Sequence, residues 1–182
     1  DETRLPTGEH AIPVTNRGLL RISPQDGLSD ETVRRFASVL NLPPYTPHPA
    51  EQVRMLVYTT STQGRPVSHA PEITETDREI ICSLSRHGID GEDAVHLHQI
   101  SICAARACLR FGGFLLHAAL VERNGAGILL AGPGGSGKTT AAFRLPAPWR
   151  CLSDDACLVA PAGERFLSRP WPTWSRFFWG GG

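Results

Sequence analysis

Apolar and polar positions follow two rhythms along this chain, and each change of rhythm marks an element. Residues 1–18 are polar and broken by Pro6, Gly8, Pro13 and Gly18, which predicts irregular structure or short edge strands. Residues 18–23 read as a strand. Ser29 reads as a helix N-cap with Asp30 and Glu31 in the first turn, and Val33, Phe36, Ala37 and Leu40 follow at helical spacing. Pro43 and Pro44 end that helix. Residues 52–60 alternate as a strand with Val53, Met55 and Val57 on one face, and 79–84 suggest another short strand. The longest helical pattern covers 93–111, where Ala94, Leu97, Ile100, Ala104, Ala107 and Cys108 fall near one stripe. Gly112-Gly113 supplies its stop.

The second half shortens its elements. Residues 114–122 (FLLHAALVE) are an apolar strand, followed by Arg123-Asn124-Gly125 and a second apolar run, 128–131. Asn-Gly between two such runs predicts a type I′ hairpin. With those two residues as the loop, Arg123 pairs with Ala126, Val121 with Ile128, Ala119 with Leu130 and His117 with Gly132. Opposed residues in an antiparallel ladder are close neighbours, so this register sets His117 beside the start of a glycine-rich loop. A helix over 139–145 ends before Pro146 and Pro148. Arg150–Ser153, 156–160 and 166–170 read as short strands.

That loop is the motif around which the chain is organised. Gly132-Pro133-Gly134-Gly135-Ser136-Gly137-Lys138-Thr139 fits G-x-x-x-x-G-K-[ST], entered from a strand and left by a helix that begins with Thr139 and Thr140. Glycines let successive N–H groups turn into one concavity that takes phosphate oxygens. Lys138 would reach the β- and γ-phosphates, and the Thr139 hydroxyl would ligate Mg²⁺. Downstream, Asp154-Asp155 at a strand end suits metal coordination and general-base work. Without the loop, the same pair would read as an ordinary Asp-Asp turn.

Composition narrows the class. Eighteen basic residues balance eighteen acidic ones, so no net field recruits nucleic acid or an anionic membrane. No apolar run is long enough to span a bilayer. The five cysteines are odd in number and form no C-x-x-C, which predicts reduced, mostly buried thiols in a cytoplasmic protein. His96 and His98, two apart on a helix, face different directions. His10, His48 and His69 stand singly among polar residues and prolines, as surface histidines do. Three of four tryptophans crowd 171–179, a segment suited to packing, with adenine stacking or peptide docking as the alternative uses. The chain starts at Asp1 and stops after Gly180-Gly181-Gly182, so a larger protein is expected.

These motifs carry a family resemblance. His117-Ala-Ala-Leu-Val, the run from Gly127 through Thr140, and Ser153-Asp-Asp together resemble the catalytic core of HPr kinase/phosphorylase, over roughly 112–160. Within that superfamily the chain looks most like the HPr-kinase-related SynChlorMet cassette proteins (ScmC) of peptide-maturation clusters, an impression to which Pro-Trp-Pro-Thr-Trp-Ser at 170–175 adds. The resemblance implies an α/β fold: a P-loop core of mixed sheet and helices, related to phosphoenolpyruvate carboxykinase, over 93–182. An α+β region would precede it over 1–92. It also implies phosphoryl transfer from ATP, with Mg²⁺, to a serine of a peptide or small protein. Carried over, Asp155 would take the serine proton, Asp154 would hold the metal and His117 would tune the base. A homo-oligomer is a further implication, although the parts on which the family's hexamer depends have no counterpart here. The family's downstream Glu-x-Arg-Gly signature is also missing from these residues, which supports an alternative: a nucleotide-binding accessory module that recognises peptide without phosphorylating it.

Overall fold

A computed structural model describes residues 8–15, 18–47, 51–61, 70–86 and 91–171. Within them the chain is mixed α/β, with two five-stranded sheets and three helices. The first sheet has the order β1-β2-β3-β5-β4, with β1 His10–Pro13, β2 Gly18–Pro24, β3 Glu51–Ser61, β4 Glu72–Glu75 and β5 Glu79–Arg86. Its three central strands are parallel, and the short edge strands β1 and β4 run antiparallel to their neighbours. Parallel neighbours need a crossover, and helix α1 (Gly27–Leu40) supplies one between β2 and β3.

The start of α1 corrects the expected N-cap. Asp26, not Ser29, takes that position: its carboxylate accepts the Ser29 N–H at 2.8 Å, and the Ser29 hydroxyl accepts the Asp26 N–H at 3.1 Å. This reciprocal box fixes the first turn three residues earlier than the apolar stripe suggests. Asp26 also accepts the N–H and hydroxyl of Thr59 on β3, so one carboxylate ties helix start to strand. Burial alone would raise its pKa; the bonds from Thr59 and Ser29 outweigh that and hold it below the usual aspartate value.

Helix α2 (Glu92–Leu109) lies against the same sheet as α1. The strand face Leu20, Ile22, Met55, Val57, Ile80 and Leu84 is fully buried, and Phe36 of α1 and Leu97 and Ile100 of α2 close over it. Val53, Met55 and Val57 share the inward face that the alternation of β3 predicts. Among the described residues, α2 packs with strands that precede it and with residues near position 160.

The second sheet is wholly antiparallel. Its order is β10-β9-β6-β7, with β8 also paired to β6. The strands are β6 Phe114–Arg123, β7 Ala126–Ala131, β8 Arg150–Ser153, β9 Ala156–Ala162 and β10 Arg165–Pro170; helix α3, Lys138–Phe143, follows β7. Leu158, Ala160 and Trp171 reach back into the first core, where the Trp171 ring meets Phe36 edge-on at 6.4 Å and its indole N–H donates to Ser101 at 2.8 Å. Trp171 therefore packs, as expected. The rest of the aromatic run, with His48, His69 and the terminal glycines, lies outside the described residues. No helix among the described residues is long and apolar enough to cross a membrane.

Candidate functional site

Strand β6 is the element that assembles the site, because it changes partners along its length. Its C-terminal half forms the hairpin with β7. Asn124 and Gly125 have φ of 54° and 79°, the two positive values that a type I′ turn demands. The Glu122 carboxylate accepts the Gly125 N–H at 2.6 Å and takes the Arg150 guanidinium from β8; these contacts, the Gly125 bond first, hold its pKa below the ordinary glutamate value. The pairs Arg123↔Ala126, Val121↔Ile128 and Ala119↔Leu130 occur as the turn chemistry predicts.

The ladder then stops at Ala118↔Ala131, one pair short of the expected His117↔Gly132. On the β7 edge the Gly132 carbonyl is taken by the Lys138 ammonium at 2.8 Å. On the opposite edge of β6 the Ala118 N–H donates to the Asp155 carbonyl at 3.0 Å and His117 lies opposite Ala156 of β9. His117 is thus delivered to the acid pair: its Nδ1 lies 2.9 Å from Asp155 Oδ1. Both side chains are well exposed (59% and 42%), so this contact adds little to stability and serves to orient the two groups.

The glycine-rich loop folds over itself. Lys138 Nζ also donates to the Pro133 carbonyl at 3.0 Å, and the Ser136 N–H donates to that same carbonyl at 3.2 Å. Gly135 and Gly137 have φ of 75° and 85°, a backbone that L side chains rarely adopt, and a Cβ on either would project into open space. At Gly132 a Cβ would fall 2.9 Å from the Ser136 hydroxyl, which would have to turn away to admit it. Helix α3 starts at Lys138 and ends at Phe143, one residue earlier and two residues sooner than expected. The Thr139 hydroxyl points to the Asp154 carbonyl at 3.4 Å, linking the helix start to the acid turn.

These elements enclose a cleft of about 460 Å³ lined by His117, Gly134, Gly135, Gly137, Lys138, Thr139, Thr140, Asp154 and Asp155. His117, Lys138, Thr139, Thr140, Asp154 and Asp155 all line that cleft. Gly132, Pro133 and Ser136 do not line it; the carbonyls of Gly132 and Pro133 accept the Lys138 ammonium. His96, by contrast, is a core residue: its Nε2 lies 3.0 Å from the Ser85 carbonyl in the buried first half. Ser153 does not line the cleft but directly precedes the two aspartates that do. It is buried, and its hydroxyl donates to the Ala156 carbonyl at 2.8 Å, across the two aspartates.

The donor set can be tested against a metal ion. Thr139 and Asp154 offer hard oxygens, and no group of three or more His, Cys, Asp or Glu side chains that could hold a metal exists among the described residues. Mg²⁺ commonly takes one or two protein carboxylates and completes its shell with phosphate and water. The residues therefore fit a Mg²⁺ that arrives with a nucleotide better than a self-contained metal centre.

No curated protein matches the chain. The family model for SynChlorMet cassette protein ScmC matches residues 80–182, from strand β5 through the loop, the acid pair and beyond. With more than half of its length covered, and the cleft entirely inside the matched part, the chain belongs to the ScmC family.

Proposed function

We propose that this protein is an ATP- and Mg²⁺-dependent kinase of HPr-kinase-like P-loop type, transferring phosphate to a serine of a peptide or small protein in a peptide-modification pathway. The observation that carries this reading is the shared cleft: a phosphate-loop motif, its lysine and hydroxyl, and an imidazole-oriented carboxylate all open onto one space. ATP would supply the phosphoryl group. Lys138 and the loop N–H groups would hold the phosphates, and Thr139 and Asp154 would hold a Mg²⁺ that neutralises their charge. Asp155, with one oxygen engaged by His117, takes the proton of the acceptor hydroxyl on the other. The serine oxygen then forms the new P–O bond as the bond to the leaving ADP breaks. Phosphoryl transfer is mostly positioning and charge stabilisation, and this set of groups supplies both.

The second reading, a nucleotide-binding recognition module without transfer, is favoured by one sequence observation: residues 156–182 hold no Glu-x-Arg-Gly signature. Incubating the full chain with labelled ATP, Mg²⁺ and serine-containing candidate peptides separates the two. Label on serine excludes the binding module; tight ATP binding with neither transfer nor hydrolysis excludes the kinase. ATP at about 100 times its Kd should stabilise a competent site by about 2.7 kcal/mol, so absence of any thermal shift would reject both.

A further inference from the structure

We propose that Ser153 is a positioning residue for the acid pair, its hydroxyl closing the turn that aims Asp154 and Asp155 into the cleft. The role rests on the kinase reading above, but the geometry behind it does not. Strand β8 ends at Ser153 and β9 starts at Ala156, leaving Asp154 and Asp155 as the two residues of the corner. A corner of two adjacent carboxylates has no intrinsic reason to hold one shape, since like charges repel and aspartates solvate readily. Here four bonds fix its backbone. The Ser153 hydroxyl spans it to the Ala156 carbonyl at 2.8 Å, and that carbonyl also accepts the Trp171 N–H at 2.9 Å. From outside, the Ala118 N–H holds the Asp155 carbonyl and the Thr139 hydroxyl approaches the Asp154 carbonyl.

Of these, only the Ser153 bond joins the two ends of the corner to each other. The other three tie it to neighbouring elements. Behind it lies Cys157, whose thiol donates to the Ala118 carbonyl at 3.3 Å. Burial, against bonds from Ser153 and Ser168, pushes that thiol up to about 11, so it remains a neutral donor and puts no second charge behind the aspartates. The Ser153 hydroxyl thus stands between a buried, uncharged backing and an exposed, charged tip.

Replacing Ser153 with Ala would leave no orphan acceptor, because Ala156 keeps the Trp171 N–H. A residue that merely satisfies its own burial would then be nearly silent at the corner. A positioning residue would not, and the Ala118 amide reports the difference without any nucleotide. In S153A, hydrogen exchange at Ala118 should accelerate about 5- to 10-fold, the factor that one net hydrogen bond carries, while Ala119 and Val121 in the β6–β7 ladder stay unchanged. S153T, which keeps the hydroxyl, should exchange like the wild type. Unchanged Ala118 exchange in S153A, an equal rise across the whole ladder, or S153T behaving as S153A would each overturn the proposal. With Mg²⁺ and ATP present, kcat for transfer in S153A should fall roughly 10- to 100-fold at constant KM for ATP, as misaimed groups do. A loss expressed only as a raised KM would also overturn it. A wild type that transfers nothing would remove the kinase reading and leave the exchange result to judge Ser153 by itself.

Discussion

The two sheets are built to opposite specifications. In the first, Leu20, Ile22, Phe36, Met55, Ile80 and Leu84 are wholly buried, and two helices of 14 and 18 residues cover one face. In the second, the separate buried cluster comprises Ala119, Val121 and Ala142, and Phe114, Leu115, Ile128, Phe143, Phe166 and Leu167 remain exposed among the described residues. The chemistry follows the same division: the cleft draws every lining residue from the second half. A large apolar interior gives rigidity, whereas a strand that trades partners and a loop of glycines give precise placement of a few polar atoms. The thin half can be thin because Leu158, Ala160 and Trp171 borrow the interior of the other.

The strongest attack on this contrast is a pair of truncations. Phe36→Ala, at a fully buried ring, should cost about 3–5 kcal/mol in denaturant unfolding. Phe166→Ala, at a ring 69% exposed, should stay within about 0.5 kcal/mol. Equal costs would erase the distinction between the halves. Next in size is the converse test at the cleft. Asp155→Asn should reduce transfer by about 10²–10⁴-fold, the usual contribution of a general base, with ATP affinity and melting temperature nearly intact. Lys138→Ala should weaken both binding and transfer. Wild-type transfer by Asp155→Asn would dismiss it as the base.

A smaller effect sharpens the description of the first half. Asp26→Ala should cost about 1 kcal/mol from the cap. The folded pKa of Asp26 lies below its ordinary value of 3.8, so the folded state binds this proton less readily than the unfolded chain. Its contribution is therefore complete well above pH 3.8 and is lost as pH falls through the lower, folded value. Unfolding curves of wild type and Asp26→Asn should converge in that acid range; curves that stay parallel would refute the assignment. The least disruptive measurement is native thiol labelling. Burial pushes Cys108 up to about 12, and Cys82 is held far above an ordinary thiol by its bond with Cys103 and by burial. At pH 8 the thiolate fraction of Cys108 is about 10⁻⁴, so half-buried Cys151 should be modified first by iodoacetamide, as peptide mass mapping would show.

How much of this is legible in the sequence depends on how local each cause is. The Asn124-Gly125 turn carries its conformation in two residues, and the register of six pairs follows from it. The inward face of β3 follows from strict alternation. Spacing misplaces the cap of α1 because Ser29 and Asp26 both belong to the capping box, and spacing alone does not say which is outside the helix. Strand β4 escapes sequence reading because Glu-Ile-Thr-Glu is polar and mostly exposed; it exists through pairing with β5, a partner the local sequence does not contain. At the site, the motif residues are readable from spacing. That the β6–β7 ladder ends at Ala131 is not readable from turn chemistry, because the Gly132 carbonyl is taken by Lys138; the contact of His117 with Asp155 follows from the resemblance rather than from the hairpin register.

The indole of Trp171 has a consequence for anyone dissecting the chain. Its ring rests on Phe36, its side-chain nitrogen on Ser101 and its backbone on Ala156, so it is anchored to the first helix, the second helix and the acid corner at once. A fragment begun at residue 93 would retain every group in the cleft yet strand this ring, together with Leu158 and Ala160, against water. Such a piece would be sticky and soft at the corner, and its inactivity would say nothing about chemistry.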